Sequence, residues 1–453
     1  MIEHDLTQGP IKGHFRTLAI PAALGMLFST LYNVVDTFYA GYLGTQAQAG
    51  MSVGFQAFFV LVAVGFGLGS AMSALIGNAN GRKDRDEARH LAAQGLSYAV
   101  LATATMMGLA LIIGPTLIAL VSEPGAYRDA GQVYFNWMVL SLPGFILGYG
   151  GNGILQARGD TVSMQRALLV ALIVNIGLTP LLTFGIPGVI PGIGFGGIAL
   201  ATVISQTGVA LFILSRVFGR NFMEGLRVAD FVPQLVRQAT IARQAVPSSF
   251  ALLITFASGF IVQFALKSYG PEALAAYGIA LRMEQLFLLP ALGITIALTP
   301  IAAQNFGAEH FDRVKEAFWR CCMLGGTTAA VAFPFLWFGG GWATSLFSDD
   351  PAVIADGALF LKVEAVILPL YVMLFAINSF LQAVKYAVWT MWIGFYRQVI
   401  AIAFFIWLLT SVFDFGIAGV RFAIALGVAS GLVLSALVAR HVARKTIGSL
   451  FAK

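Results

Sequence analysis

Residues 16–41, RTLAIPAALGMLFSTLYNVVDTFYAG, form an apolar stretch long enough to cross a membrane as a helix. A spanning helix needs about 20 such residues. After Arg16, the only charged residue in the stretch is Asp36. A carboxylate inside a spanning helix is costly and is expected to face a cavity or a polar partner. The stretch therefore predicts a membrane-spanning fold and marks Asp36 as a candidate functional residue.

The composition of the whole chain agrees with a membrane protein. Of 453 residues, 58% are hydrophobic and 11% are charged, and the mean hydropathy is +0.83. Soluble domains carry roughly 25% charged residues, so a soluble fold is excluded. The first apolar stretch is too long for a cleaved signal peptide, and we expect it to be retained. Cys321 and Cys322 are adjacent and imply no disulfide framework.

Apolar runs predict twelve spans, so the fold class is an all-α integral membrane protein with twelve transmembrane helices. The predicted spans lie near 14–40, 50–78, 91–121, 130–157, 163–184, 196–216, 243–268, 275–304, 317–346, 356–384, 390–413 and 418–440.

The distribution of Lys and Arg predicts the orientation. With a cytoplasmic N-terminus, 21 basic residues fall on the cytoplasmic side, 3 fall in outer loops, and Arg282, Arg397 and Arg421 fall within spans. The positive-inside rule then places both termini in the cytoplasm. The net charge of +6 follows from this topology, and we expect no nucleic-acid partner.

The two halves of the chain repeat. A shift of 226 residues superimposes Pro21 on Pro247 and NGILQA (152–157) on NSFLQA (378–383). Six spans per half is an even number, so the two six-helix repeats are parallel. Such a duplication favours a carrier with alternating access over a channel.

The repeat predicts three segments. They are a first six-helix lobe, a charged cytoplasmic linker and a second six-helix lobe, over 1–220, 221–241 and 242–453.

Asp36 is one of three acids placed well inside spans. It lies in the outer half of the first span, and Tyr32 is one turn away on the helix. No Lys or Arg occurs in the first six spans away from their cytoplasmic ends. Burial favours the neutral form of an unpaired carboxylic acid, so we expect Asp36 to bind and release a proton. The alternative is a structural hydrogen bond to a neighbouring helix.

Glu284 and Glu364 are the other two intramembrane acids. Arg282 precedes Glu284 by two residues, and pairing of Arg282 with either glutamate would make a structural ion pair. We therefore interpret all three as secondary candidates in the second lobe. Arg397 and Arg421 are interpreted as snorkelling or cavity-lining residues.

Several polar residues share the depth of Asp36 in the first half. They include Asn175, Thr179 and Thr202 in the fifth and sixth spans. Each alone is typical of a helix–helix hydrogen bond, but their common depth suggests one site.

No other chemistry stands out in the sequence. We find no nucleotide-binding GxxxxGK[ST] loop, no histidine spacing suited to a metal and no nucleophile–base arrangement. The sequence thus predicts a protein that is not an enzyme and has no metal or cofactor.

The chain resembles the multidrug and toxic compound extrusion (MATE) transporters, and within them the prokaryotic DinF-like branch. The resemblance is carried by IPAALGMLFSTLYNVVDTFYAGYLG, NGILQARGDT, ALATVISQ and RMEQLFLLPALGITIALTPIAAQNFGA, in this order. It implies a V-shaped pair of six-helix lobes that exports lipophilic, often cationic compounds against an inward flow of H⁺ or Na⁺.

The resemblance also implies site residues. The aspartate of the first helix is the coupling site in this family, which matches Asp36. Its polar network maps onto Tyr32, Asn175, Thr202 and Asn152. DinF-like relatives often carry a second aspartate where this chain has Thr179, and the loss of that ligand weakens a Na⁺ site more than a proton site.

The expected function is therefore a proton-coupled drug exporter in the inner membrane of a prokaryote, with Na⁺ as the less favoured coupling ion. We expect a monomer whose partners are drug-like small molecules and the lipid bilayer. Two alternatives remain, a lipid-linked precursor flippase of the same superfamily and an ion channel or receptor. The flippase would require a strongly cationic cavity, and the channel is disfavoured by the internal duplication.

Overall fold

A computed structural model describes residues 5–186, 188–219 and 222–450. Their main elements are fourteen α-helices and one short hairpin of strands. The helices are α1 Ile11–Tyr42, α2 Thr45–Gly81, α3 Arg85–Val121, α4 Ala126–Val139, α5 Leu142–Gln156, α6 Val162–Phe184, α7 Phe195–Phe218, α8 Leu235–Leu266, α9 Pro271–Gly307, α10 Phe311–Ser345, α11 Pro351–Ala383, α12 Val388–Phe395, α13 Ile402–Trp407 and α14 Gly416–Thr446.

The helices confirm the predicted membrane fold. By length and composition, 11 helical segments of the described chain can span a membrane. One of them, Val388–Val412, consists of α12, a π-helical segment at Tyr396–Ala401, α13 and a second π-helical segment at Leu408–Val412. The pair α4 and α5 makes the number twelve if it counts as one bent span.

The bend between α4 and α5 is a departure from the predicted straight span 130–157. The two helices meet at 50°. The amide of Leu140 donates to Trp137 at 3.1 Å and that of Ser141 to Met138 at 2.8 Å, so the end of α4 tightens to a three-residue spacing. Pro143 lacks an N–H and therefore could not continue the ladder of α4. It sits instead in the first turn of α5, where no donor is needed.

A small hairpin joins α6 to α7, where only a loop was expected. Its strands are β1 Gly185–Ile186 and β2 Ile190–Pro191, with Gly185 opposite Pro191. Gly185 and Gly188 have φ of 74° and 76°. These left-handed conformations suit glycine, which explains the glycine-rich sequence there.

The chain divides into two compact units that exchange halves of two helices. The first unit includes Leu24–Ser249, and the second includes Leu6–Ala23 and the chain from Phe250. The first half of α1 thus belongs to the second unit, and the first half of α8 belongs to the first. The two boundaries are 226 residues apart, the repeat distance of the sequence. The predicted segments, which follow one another along the chain, do not include this exchange.

Two equivalent glycines hold the exchanged helix halves. A Cβ on Gly67 of α2 would lie 2.5 Å from the carbonyl oxygen of Ala245 in α8. A Cβ on Gly293 of α9 would lie 2.8 Å from the carbonyl oxygen of Ala19 in α1. Both distances are too short for any side chain, so the helices approach as closely as small residues allow.

The predicted linker is partly folded onto the first unit. Val228–Phe231 forms a 3₁₀ turn, and α8 already begins at Leu235. Gln94 of α3 donates to the carbonyls of Asp230 and Val232 at 2.7 and 2.8 Å, and it accepts from the Gln234 amide at 2.9 Å. One buried glutamine therefore fixes the path of the linker.

Candidate functional site

Three helices of the first unit converge on Asp36. Asn175 Nδ2 of α6 donates to Asp36 Oδ1 at 3.1 Å, and Thr179 Oγ1, one turn later, approaches the same oxygen at 3.4 Å. Thr202 Oγ1 of α7 donates to Asp36 Oδ2 at 3.0 Å. Both carboxylate oxygens are thus engaged by polar groups of neighbouring helices. The structure brings these four side chains together as the shared depth suggested.

The cluster is closed off from solvent. Asp36 and Thr202 are each 3% exposed, and Asn175 and Thr179 are 0% exposed. Asn175 and Thr179 are four residues apart, on successive turns of α6, and therefore lie on one face of that helix. This spacing explains why both reach the same oxygen. Tyr39 OH of α1 donates to the carbonyl of Ile176 at 3.1 Å and fastens α1 to α6 beside the cluster.

The cluster has hydrogen-bonding capacity to spare. Tyr32 OH, Asn175 Oδ1 and Ser205 Oγ are buried, and within the described residues none has a hydrogen-bond partner. The Tyr32 hydroxyl lies close to the polar side chains of Thr202, Ser205 and Asn175. Unused buried donors and acceptors are rare and call for a physical reason.

Asp36 has no cationic partner in the described part of the chain. Among the described residues, none of the ion pairs involves Asp36. Its donors are an amide and two hydroxyls, all neutral. A neutral amide presents either its NH₂ or its oxygen by rotation, and hydroxyls either donate or accept. The same side chains can therefore satisfy Asp36 as a carboxylate and as a carboxylic acid.

Two members of the surroundings were missed in the sequence. Ser205 lies three residues after Thr202 and shares its helix face, a spacing that could have identified it. Tyr134 of α4 is 2% exposed and close enough to Asp36 and Tyr32 to interact electrostatically. No local pattern marks Tyr134, because its proximity depends on how α4 packs.

Asn152 does not belong to this cluster. It is buried near the end of α5, its Oδ1 has no partner among the described residues, and no contact joins it to Asp36. Asp36 lies near the end of α1, and α5 runs back across the membrane in the opposite direction. The two residues consequently lie near opposite membrane faces.

The second unit contains a different buried cluster. Glu284 of α9 and Glu364 of α11 are 8% and 4% exposed. Arg397, 6% exposed, lies on the first π-helical segment, close enough to Glu284 for their charges to interact. Its guanidinium lies 5.4 Å from the centroid of the Tyr371 ring, within the range of a cation–π contact.

The cation of this cluster is not the predicted one. Arg282 is exposed and forms no ion pair among the described residues. Residues two apart on a helix point in nearly opposite directions, so Arg282 faces away from Glu284. Arg397, predicted to snorkel or to line a cavity, is buried. A Cβ on Gly431 of α14 would lie 2.6 Å from Arg397 Cδ, so this glycine makes room for the arginine stem.

Neither cluster resembles a metal centre. Within the described residues, no group of three His, Cys, Asp or Glu side chains could hold a metal ion. The Asp36 cluster offers one carboxylate and neutral oxygens, which is sufficient for a proton and sparse for a divalent cation.

Comparison with known proteins identifies relatives for the whole chain. The MatE family model matches residues 21–181 and again 247–407. The probable multidrug resistance protein YoeA of Bacillus subtilis is 27% identical over 326 residues, 70% of each chain. The FAD transporter of Shewanella oneidensis is 26% identical over 357 residues, covering 78% of this chain and 77% of the relative. The multidrug export protein MepA of Staphylococcus aureus is 23% identical over 377 residues, 83% and 82% of the two chains.

Solved structures share the fold. A multidrug resistance MATE family transporter in the outward-facing conformation has a TM-score of 0.90 at 22% identity, covering 98% of this chain and 99% of the other. A MOP superfamily transporter from Pyrococcus furiosus, described as having a binding pocket of reversed polarity, also has a TM-score of 0.90 at 22% identity, over 100% and 99% of the two chains.

Proposed function

Since this chain belongs to the MatE family, a family of membrane transporters and not of enzymes, we propose that it is a secondary active multidrug exporter coupled to inward H⁺. Its substrates would be lipophilic, often cationic compounds. The names of the relatives YoeA and MepA support export of drugs.

The observation that carries the proposal is the neutral surroundings of Asp36. A carboxylate buried with neutral donors and no cation is destabilised relative to water by its lost hydration. Proton binding removes that cost, so the occupancy of the site by H⁺ is set by small changes in the packing of α1, α6 and α7. Such sensitivity is what coupling a proton to a conformational change requires.

The cluster suggests how its two states differ. In the ionised state, Asn175 Nδ2 and the hydroxyl of Thr202 donate to the two oxygens of Asp36. In the protonated state, Asp36 would itself donate, and rotation of the Asn175 amide would offer the unpartnered Oδ1 as acceptor. The orphaned oxygen thus acquires a role in one of the two states.

Protonation would also switch the affinity for substrate. An ionised Asp36 attracts a cationic compound, and a protonated one does not. Uptake of H⁺ from outside would then release the cation outward, and loss of H⁺ to the cytoplasm would reset the site. Pro21 in α1 and Pro247 in α8 each lie close to a boundary of the exchanged helix halves, where a missing backbone hydrogen bond permits bending.

The proposed setting is the inner membrane of a prokaryote, with both termini in the cytoplasm. The bacterial relatives and the bias of basic residues support it. We propose a monomer as the working unit.

The decisive experiment is substrate-driven pH change in proteoliposomes. Wild type should release protons from the lumen when a cationic drug is added, and Asp36→Asn should lose this response entirely while unfolding at an unchanged temperature. Asp86→Asn is the matched control, because Asp86 has a side chain 89% exposed at a membrane-distal turn. Normal proton flux in Asp36→Asn would refute the proposed coupling residue.

The coupling ion is tested by changing Thr179. Wild-type transport should be independent of Na⁺, since one carboxylate is a poor Na⁺ site. Thr179→Asp supplies a second carboxylate beside Asp36 and should introduce stimulation by Na⁺. Stimulation of the wild type by Na⁺ at constant pH would show that Na⁺, and not H⁺, is the coupling ion.

A further inference from the structure

A groove on the first unit runs along the pair α6 and α7. Its volume is about 660 Å³, within the range of roughly 300–1,000 Å³ that small-molecule sites occupy. Along α6 it extends from Ser163 to Val174, and along α7 from Ile204 to Arg216. Apart from its ends, the lining is almost wholly aliphatic or aromatic.

The groove has the length of one membrane leaflet. The stretch from Ser163 to Val174 rises about 16 Å at 1.5 Å per residue. Half of a bilayer's hydrocarbon core is about 15 Å. Val170, Val174 and Phe212 are 59%, 44% and 40% exposed, so no described residue of the chain covers the groove. Its walls are therefore open to an acyl chain.

Two arginines stand at one end of the groove. Arg166 lies in the first turns of α6 and Arg216 in the last turn of α7. Neither forms an ion pair or a side-chain hydrogen bond within the described residues. The nearby Asp160 is already engaged, because its oxygens accept from the amide and hydroxyl of Ser163 at 2.9 and 2.7 Å. The groove thus ends at two arginines, neither of which is in an ion pair with a described residue.

We propose that this groove binds an acidic phospholipid of the leaflet at its arginine end, which the positive-inside rule makes the cytoplasmic leaflet. The phosphate lies between Arg166 and Arg216, and an acyl chain follows the apolar walls. Basic pockets between transmembrane helices on the cytoplasmic side are a known form of lipid recognition. A cationic drug is a poor occupant, because the two guanidinium groups repel it.

Gly208 allows the groove to be filled without disturbing the protein. It lines the groove on α7, and a Cβ there would meet no atom within 4 Å. Leucine is also a better helix former than glycine. Gly208→Leu should therefore exclude an acyl chain and leave the helix intact.

The test is native mass spectrometry of the purified full chain in detergent with added phosphatidylglycerol or phosphatidylcholine of equal chain length. Wild type should retain phosphatidylglycerol in preference. Loss of both arginines in Arg166→Gln/Arg216→Gln should weaken this retention about thirtyfold, at about fivefold for each charge. Gly208→Leu should abolish it.

Matched controls change the same residue types elsewhere. Arg440→Gln removes an exposed charge of α14, and Gly108→Leu fills open space beside α3. Both should bind phosphatidylglycerol as the wild type does.

Equal retention of phosphatidylcholine, or retention by Gly208→Leu, would overturn the proposal, as would a lipid-free dimer in the same spectrum. If the double arginine variant does not fold, Gly208→Leu decides. The readout is bound lipid, so it is independent of whether the chain exports drugs.

Discussion

The Asp36 cluster of the first unit and the Glu284–Glu364–Arg397 cluster of the second occupy non-equivalent positions of the same repeat. With the 226-residue shift, Asp36 corresponds to Val262 and Asn175 to Ala401, which are 1% and 2% exposed. Position 247 begins the second family match as position 21 begins the first, at this same distance.

The converse holds for the second cluster. Its three residues correspond to Phe58, Met138 and Ala171 of the first unit, which are 1%, 1% and 4% exposed. Each unit is thus apolar where the other is polar. The two repeats form similar helix bundles, but their buried charged residues lie at different positions of the repeat.

The clusters also differ in how charge is balanced. Asp36 has neutral partners alone, whereas Glu284 lies close enough to the Arg397 guanidinium for their charges to interact. A buried acid balanced by a cation contributes to structure, and one that lacks a cation is suited to gain and lose a proton. Four substitutions test this contrast, in order of decreasing effect.

Removal of the buried arginine should have the largest effect. Arg397→Met leaves Glu284 without the nearby cation and should lower the free energy of unfolding by about 3–5 kcal/mol. Thermal unfolding in detergent measures this loss. Arg320→Met is the control, since Arg320 is 39% exposed, pairs with Glu316 at 2.7 Å and should contribute at most about 1 kcal/mol.

A second substitution that restores stability tests whether Arg397 acts through the acid. Glu284→Gln combined with Arg397→Met should recover much of the lost stability, because an uncompensated acid has been neutralised. If the single variant is as stable as wild type, Arg397 does not balance Glu284 and the contrast between the units fails.

An acid introduced at the position equivalent to Asp36 should have the second-largest effect. Val262→Asp introduces a carboxyl group into the apolar core of the second unit, where Ala401 stands in place of Asn175 and offers no side-chain donor. We expect a loss of roughly 2–3 kcal/mol in the free energy of unfolding. Val262→Asn introduces a polar but uncharged side chain, so its loss of stability measures the cost of polarity without that of charge. A Val262→Asp protein with unchanged stability would mean that both units can host the acid.

Loss of a donor to Asp36 should have a moderate effect. Thr202→Val removes the 3.0 Å hydrogen bond, which is worth about 1.5 kcal/mol or more for a charged acceptor. Substrate-driven proton release should fall roughly tenfold. Thr202→Ser should restore it. On the same helix, Thr207→Val loses only a bond to the Val203 carbonyl, and its activity should match wild type.

The smallest effect is expected at Thr179. Its hydroxyl lies 3.4 Å from Asp36 Oδ1, near the limit for a hydrogen bond. Thr179→Val should therefore change stability by less than about 1 kcal/mol and reduce proton release less than Thr202→Val does. The reverse order in the same vesicle assay would mean that Thr179, and not Thr202, is the principal partner of Asp36.

The sequence predicted the membrane fold and the Asp36 cluster because both depend on how a residue differs from its neighbours along the chain. A single acid in an apolar helix is visible in the sequence, and residues of matching depth follow from counting along adjacent spans. The burial of Arg397 near Glu284 was missed for the opposite reason. Its burial depends on a π-helical segment and on the space left by Gly431, which are features of packing that residue spacing does not encode.

The same limit explains the other differences. Arg282 precedes Glu284 closely in sequence but lies on another helix face, and Asn152 is polar but near the opposite membrane side. The exchange of helix halves arises from packing between helices that are distant in the sequence. Local pattern therefore identifies which residues are unusual, and packing decides which of them meet.

The exchanged half of α1 imposes an order on biosynthesis. Phe15 and Leu18 pack in one core with Ala297 and Phe318, which leave the ribosome roughly 280 residues later. At 5–20 residues per second, the first helix waits about 15 to 55 s for its final neighbours. The first half of α1 is thus among the last segments to be locked in place, and a nascent chain halted after the first repeat would keep this half of the helix unpacked.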